Sequence, residues 1–152
     1  MTEFKRKRMR HHMPSWVKED VIYFITINTL PRGTDQLAKA DTAKAIKQSI
    51  QHYTDNHKWL PFLFVLMPDH LHTLVSLNTA QHTIAQIISP WKSYLKKTQN
   101  IDWQDGFFEH RIRDDNSLVA KADYLRQNPV RSGLVEKKED WPYIWDQTDF
   151  LV

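Results

Sequence analysis

The stretch that decides the fold is Phe62-Leu63-Phe64-Val65-Leu66-Met67-Pro68-Asp69-His70-Leu71-His72-Thr73-Leu74-Val75-Ser76-Leu77. It begins with an apolar run, which the turn dipeptide Pro68-Asp69 ends. From His70 onward, apolar and other side chains alternate with a period of two residues, which is the period of a strand. We therefore predict an antiparallel hairpin, with one strand over residues 59–67, a tight turn, and a second strand over residues 70–77.

His70 and His72 are candidate metal ligands on the second strand of this hairpin. Because successive side chains point to opposite faces of a strand, both imidazoles emerge on one face, about 6–7 Å apart at the backbone. At that separation they can converge on one divalent metal ion, since imidazole is a ligand of several metals. The same spacing is also found in polar stripes on solvated sheet faces. A third ligand is needed to decide between a metal site and such a stripe.

The composition indicates one globular domain inside the cell. A chain of 152 residues buries enough surface to fold without cross-links. The absence of cysteine excludes disulfides, thiolate metal sites and a cysteine nucleophile, and it fits a reducing cytoplasm. The apolar runs are far shorter than the roughly 20 residues that span a bilayer. No apolar signal-peptide core follows the basic N-terminus.

Positive charge is clustered along the chain, although the net charge is only +3. We predict that residues 1–15 form a flexible basic arm and that residues 16–152 form a single domain. Basic clusters are typical of proteins that bind a phosphate backbone, but they also occur as solvated tails and helix surfaces. The three glycines and the lack of a Walker or dinucleotide motif argue against a glycine-rich phosphate loop. The candidate phosphate contacts are Lys5, Arg6, Lys7, Arg8, Arg10, Lys92, Lys96, Lys97, Arg111, Arg113 and Arg131.

The hydrophobic pattern predicts the element order β-α-β-β-α-β-α. Besides the hairpin, strands are expected over residues 21–28 and 107–113, and helices over 41–56, 83–98 and 114–128. This order favours an α+β fold, a ferredoxin-like antiparallel sheet with helices packed mainly on one face and the other face free for a ligand. Pro90 either kinks the second helix or restarts it with Ser89 as the cap. The aromatic residues of the last segment are expected to pack back onto the domain.

The third helix carries two further candidates, Tyr124 and Asn128, which are four residues apart and share a face. The amide oxygen of Asn128 is a reasonable ligand for Mg²⁺ or Mn²⁺. The phenol of Tyr124 can act as a covalent nucleophile. Alternatively, Tyr124 packs in the core and Asn128 caps the helix. Spacing does not select one of the five tyrosines as the nucleophile. Tyr94, on a lysine-flanked helix, is a second candidate for that role.

Three segments of the chain resemble the single-tyrosine HUH transposases, and most closely their REP-associated branch. The resemblance runs from about residue 21 to residue 145. The segments are Met67-Pro68-Asp69-His70-Leu71-His72, Trp103-Gln104-Asp105-Gly106-Phe107-Phe108-Glu109-His110-Arg111-Ile112-Arg113 and Tyr124-Leu125-Arg126-Gln127-Asn128-Pro129-Val130-Arg131-Ser132-Gly133-Leu134-Val135. One departure is Asp69, where the family usually has asparagine, which places a carboxylate beside the expected metal.

The resemblance implies a bacterial, cytoplasmic DNA transposase whose catalytic domain spans residues 16–152. Such an enzyme cleaves and rejoins single-stranded DNA beside a hairpin, such as a REP hairpin, through a 5′-phosphotyrosine intermediate. By position, Tyr124 becomes the nucleophile, and His70, His72 and Asn128 become ligands of a divalent metal, Mg²⁺ or Mn²⁺. A free phenol is a weak nucleophile, so Tyr124 needs activation by the metal or by a nearby lysine. A monomer acting in cis is favoured over a dimer.

Two other functions remain open from the sequence. One is a catalytically silent module of the same fold that binds single-stranded nucleic acid on its free sheet face. The other is a metal-dependent phosphodiesterase that uses water, with Tyr124 in a structural role. Bases of a bound strand could stack on Trp103 and Trp141, although a tryptophan is more often a core residue.

Overall fold

A computed structural model describes residues 21–150 of the chain, so the proposed basic arm lies outside the described residues. The strands are β1 (Ile22–Asn28), β2 (Trp59–Leu66), β3 (His70–Leu77), β4 (Phe108–Ile112) and β5 (Ile144–Asp146). The helices are α1 (Ala40–Asp55), α2 (Ile84–Gln99), α3 (Asp115–Arg126) and the single turn α4 (Asn128–Arg131). Two 3₁₀ turns, Lys138–Asp140 and Gln147–Asp149, flank β5.

The five strands form one sheet in the order β4-β1-β3-β2-β5, and every neighbouring pair is antiparallel. The first four strands have the order and connections of a ferredoxin-like fold, which confirms the predicted fold class. The predicted hairpin is present, because β2 pairs with β3 and the Met67 N–H donates to the His70 carbonyl at 2.8 Å. The short β5 was not predicted; it pairs with β2 at the sheet edge.

One face of the sheet is covered by α1 and α2 around an aromatic cluster. The indole ring of Trp91 lies 5.2 Å from that of Trp59 and 6.3 Å from the ring of Phe64. The Trp91 N–H donates to the Ser49 hydroxyl at 2.9 Å, so the buried indole keeps its hydrogen bond. Trp145 and Phe150 join this core, which confirms that the last segment packs back onto the domain.

Pro90 lies inside a continuous α2 and does not restart it. The helix begins after Thr83, whose hydroxyl accepts the Gln86 N–H, while the Gln86 side chain accepts the Thr83 N–H. This reciprocal capping box satisfies N–H groups of the first turn. Since the start of the helix is fixed at that turn, the alternative with Ser89 as the cap is wrong.

The opposite face of the sheet is partly covered by α3, so the expectation of a free face needs correction. Leu118, Ala122 and Leu125 recur at helical spacing and are buried against this face. They join a second core cluster that includes Leu74 of β3. His70 and His72 point to the same side as Leu74, so α3 lies on the histidine side of the sheet.

Within residues 21–150, no helix combines the length and the apolar character required to cross a membrane.

Candidate functional site

His70 and His72 emerge on one face of β3 with ring centres 4.9 Å apart, as the strand period predicts. Nδ1 of His72 lies 2.8 Å from the hydroxyl of Thr26, its register partner on β1. Nδ1 of His70 lies 2.8 Å from a carboxylate oxygen of Asp69. Because Nδ1 is engaged in both rings, Nε2 is the nitrogen that each ring can offer to a metal.

Asp69 holds His70 in one orientation and is itself held by the loop after β1. Its carboxylate accepts from Arg32 Nε at 2.9 Å and from the Gly33 N–H at 2.8 Å. Gly33 has φ +85°, a left-handed conformation that glycine adopts without strain. Burial raises the pKa of Asp69, but the hydrogen bonds from Arg32, Gly33 and His70 outweigh it and hold the pKa well below its usual range. The ionised carboxylate therefore favours a proton on Nδ1 of His70.

His72 is held in the neutral form, which is the form that binds metals. Burial lowers its pKa, and the charges of His70, Lys121 and Arg131 lower it further, to about 3. Lys121 belongs to α3 and Arg131 to α4. Their charges reach His72 because α3 packs on the histidine side of the sheet.

Tyr124 stands on that segment with 56% of its surface exposed, so it is not a core residue. The guanidinium of Arg131 lies 3.6 Å from the centre of its ring, and Lys121 Nζ lies 5.5 Å away. Lys121 also lies 4.6 Å from the ring of Phe24, and that ring is 5.5 Å from His72. These contacts connect the phenol to the histidine pair within one chain.

Asn128 is the first residue of α4 and is half-buried. Its side-chain oxygen accepts a hydrogen bond from Arg131 Nη2 at 3.0 Å, and it does not cap α3, where Gln127 is the cap residue. An amide oxygen has two lone pairs, so one remains for a metal. In the described part of the chain, no group of three or more His, Cys, Asp or Glu could hold a metal ion. The predicted ligand set of His70, His72 and Asn128 includes an amide oxygen and so lies outside such groups; it stays a prediction.

Tyr94, the rival tyrosine, is 53% exposed on α2. Because α2 packs on the face opposite to the histidines, the sheet separates Tyr94 from them. Tyr94 instead lines a groove between α1 and α2 with His52 and Tyr53. The two candidate tyrosines thus have similar exposure but different neighbours.

The basic residues predicted to contact phosphates differ in their exposure and in the groups that they contact. Lys92 Nζ donates to the carbonyl oxygens of Gln104 and Gly106 at 2.9 and 2.8 Å, so it ties a loop to α2. Burial lowers the pKa of Lys92, and the charge of Asp105 opposes that shift. Lys96 lies 3.4 Å from the carboxylate of Asp102 in an exposed ion pair. Lys97, Arg111, Arg113 and Arg131 are exposed, whereas Lys5, Arg6, Lys7, Arg8 and Arg10 lie outside the described residues.

Trp103 and Trp141, the predicted stacking residues, are half-buried structural side chains. The indole N–H of Trp103 donates to the Lys92 carbonyl, and that of Trp141 donates to the Leu66 carbonyl, both at 2.9 Å. Phe108 on β4 is the more exposed aromatic ring, at 55%.

Several residues around the site were missed by sequence reasoning, although a signal for some of them existed. The residues of β1 alternate between an apolar face and the histidine face. Reading that alternation would have placed Phe24 and Thr26 beside the site. The missed residues are Phe24, Thr26, Arg32, Phe108 and Lys121.

Comparisons with known proteins agree on one group of relatives. No protein-family model matches the chain. A Haemophilus influenzae protein named among the REP-associated tyrosine transposases is 33% identical over 143 residues, covering 80% of this chain and 77% of that protein. The REP-associated tyrosine transposase of Escherichia coli is 31% identical over 86 residues, covering 53% of this chain and 50% of that protein.

Among solved structures, that of a REP-associated tyrosine transposase bound to a REP hairpin superposes with a TM-score of 0.71. The superposition covers 87% of this chain and 80% of the other, at 23% sequence identity. At that identity it establishes a common fold.

Proposed function

This chain belongs to the REP-associated tyrosine transposases, and from that premise we propose that Tyr124 is the nucleophile with which it cleaves and rejoins single-stranded DNA beside a hairpin. The observation that carries the proposal is the contact series from Tyr124 through Lys121 and Phe24 to His72. It brings an exposed phenol to the histidine side of the sheet. Because the series stays within one chain, it supports a monomer acting in cis.

In the proposed reaction, Tyr124 Oη attacks the scissile phosphorus of the DNA strand. The phenol loses its proton and a 5′-phosphotyrosine bond forms. The bond from phosphorus to the 3′-oxygen breaks, and that oxygen takes up a proton and leaves as a 3′-hydroxyl. Attack by a different 3′-hydroxyl reverses the step and joins two strands. The positive charges of Arg131 and Lys121 stand beside the ring, where they can stabilise the negative charge of the phosphate during both steps.

We propose Mg²⁺ or Mn²⁺ as the cofactor, held by His70, His72 and Asn128. Such an ion supplies Lewis-acid stabilisation of the charge on the phosphate oxygens. The chain's own contribution is orientation. Thr26 and Asp69 fix the two imidazoles through Nδ1, and Arg131 contacts both the ring of Tyr124 and the oxygen of Asn128.

The proposed DNA substrate is a hairpin with a single-stranded flank, because the structural neighbour is bound to a REP hairpin. Exposed basic residues of the described chain, Lys97, Arg111 and Arg113, would contact phosphates, as would the basic arm.

The test is a denaturing gel of labelled hairpin DNA with a single-stranded flank, incubated with protein and Mg²⁺ or Mn²⁺. We expect a covalent protein–DNA adduct that Tyr124→Phe abolishes. Tyr94→Phe is the matched control, since Tyr94 has the same exposure on the other face, and it should leave the adduct unchanged.

The other outcomes distinguish the competing functions. Cleavage that survives Tyr124→Phe would show a phosphodiesterase that uses water. Binding without cleavage by the unaltered protein would show a silent nucleic-acid-binding module. An adduct lost in Tyr94→Phe but kept in Tyr124→Phe would overturn the assignment of the nucleophile.

A further inference from the structure

A recess of about 430 Å³ opens on the side of the sheet that carries the histidines. It lies between β1 and β4 and is lined by Thr26, Asn28, the loop over residues 104–107, and Phe108. Thr26 forms part of this wall and also bonds Nδ1 of His72, so the recess adjoins the proposed metal site. Its volume falls within the range of roughly 300–1,000 Å³ found for small-ligand sites.

The loop that forms the outer wall is fixed in place. Lys92 Nζ bonds the carbonyl oxygens of Gln104 and Gly106, and the Gln104 N–H donates to the Asn28 carbonyl at 2.9 Å. An isolated β-bridge between Thr29 and Trp103 holds the residue that precedes this loop. A wall that is already ordered loses little conformational entropy when a ligand binds.

The chemistry of the lining suits an uncharged aromatic ring. Phe108 exposes 55% of its surface, and its ring stands edge-on to that of Phe24 at 5.8 Å. Within residues 21–150, the side-chain amides of Asn28 and Gln104 form no hydrogen bonds, so their donors and acceptors remain for a ligand. The lining includes the carboxylate of Asp105 and no lysine or arginine, which disfavours a phosphate.

We propose that this recess takes one unpaired base from the single strand that flanks the cleavage position. The base stacks on Phe108, and the amides of Asn28 and Gln104 bind its edge. Because Thr26 lines the recess and bonds His72, a base held there places the adjoining backbone close to the proposed metal site. The inference rests on the proposed function, because it names where that DNA substrate is anchored.

The test measures binding of fluorescent hairpin DNA to Tyr124→Phe protein in a chelator, so that no cleavage occurs. The flank positions are replaced one at a time by an abasic site. Phe108→Ala is expected to weaken binding about 5- to 150-fold, the range of one lost base–aromatic stack. At one flank position, the abasic site and Phe108→Ala combined should weaken DNA binding no more than either change alone.

Two further variants serve as controls. Phe108→Trp keeps an aromatic platform and should retain the affinity. Tyr94→Ala removes an equally exposed ring from the other face and should leave the affinity unchanged. Circular dichroism verifies that each variant is folded.

The proposal is overturned if Phe108→Ala leaves the affinity unchanged, or if its effect adds to that of the abasic site at every flank position. Failure of the catalytic proposal is a separate result. An adduct that persists in Tyr124→Phe would refute the nucleophile, whereas the abasic scan depends only on binding.

Discussion

The two faces of the sheet differ in what covers them. Two long helices, α1 and α2, close one face over a cluster of large aromatic rings that includes Trp59 and Trp91. Among residues 21–150, α3 packs on the histidine face, and the cations Lys121 of α3 and Arg131 of α4 lie close enough to lower the pKa of His72. We call the face under α1 and α2 the closed face, and its apolar core stabilises the fold. The partly covered face leaves space in which polar side chains can contact one another.

Tyr94 and Tyr124 show why the surroundings of a residue matter more than its exposure. Their exposed fractions, 53% and 56%, are nearly equal. Tyr94 borders a groove with Tyr53 and His52, whereas Tyr124 has a guanidinium against its ring and a lysine nearby. Only Tyr124 lies on the side of the sheet that carries the histidines.

The largest effect on stability is expected on the closed face. Trp91→Ala removes a fully buried indole and its hydrogen bond to Ser49, and should lower the free energy of unfolding by about 3–5 kcal/mol. Urea unfolding followed by circular dichroism measures this change. Protein that remains folded should still form the adduct. A folded but inactive Trp91→Ala protein would show that the two faces are coupled.

Arg131→Ala is expected to slow adduct formation about 10²-fold, because the side chain that positions both Tyr124 and Asn128 is lost. Single-turnover rates at saturating DNA separate this effect from weaker DNA binding. Arg131→Lys keeps the charge without the planar stack and should remain slow.

The closed face offers a matched control for this prediction, since Lys47 Nζ lies 5.8 Å from the ring centre of Trp145. Lys47→Ala should leave the rate unchanged. Full activity of Arg131→Ala would mean that the stacked guanidinium does not position the phenol.

A smaller effect is expected from Asp69→Asn, which keeps an acceptor for His70 but removes the negative charge. Affinity for Mn²⁺ should fall about 10-fold, the lower end of the usual cost of losing a partner that orients a metal-binding histidine, because the hydrogen bond to His70 can still form. Calorimetric titration of the metal-free protein measures it without any reaction. Asp102→Asn, in the exposed ion pair with Lys96, is the control. Equal affinities of Asp69→Asn and the unaltered protein would exclude an orienting role for the carboxylate.

Most of the fold was predictable because its signals are local. The hairpin, both long helices and the capped start of α3 follow from periodicity and from Asp114, whose side chain accepts the Ser117 N–H. β5 was missed because its three residues are too short for a periodic pattern. The position of α3 was missed because an apolar helical stripe does not reveal which face of a sheet it will cover.

The sequence by itself determined which side chains share an element and a face. The period of a strand aligned His70 with His72. Helical spacing predicted a shared face for Tyr124 and Asn128, which the structure places on α3 and on α4. Only the tertiary structure decided which tyrosine stands on the histidine side, that Thr26 bonds His72 from 46 residues away, and that Arg32 holds the carboxylate beside His70. Such contacts depend on strand register and on helix packing, which arise when distant segments of the chain bury their apolar faces together.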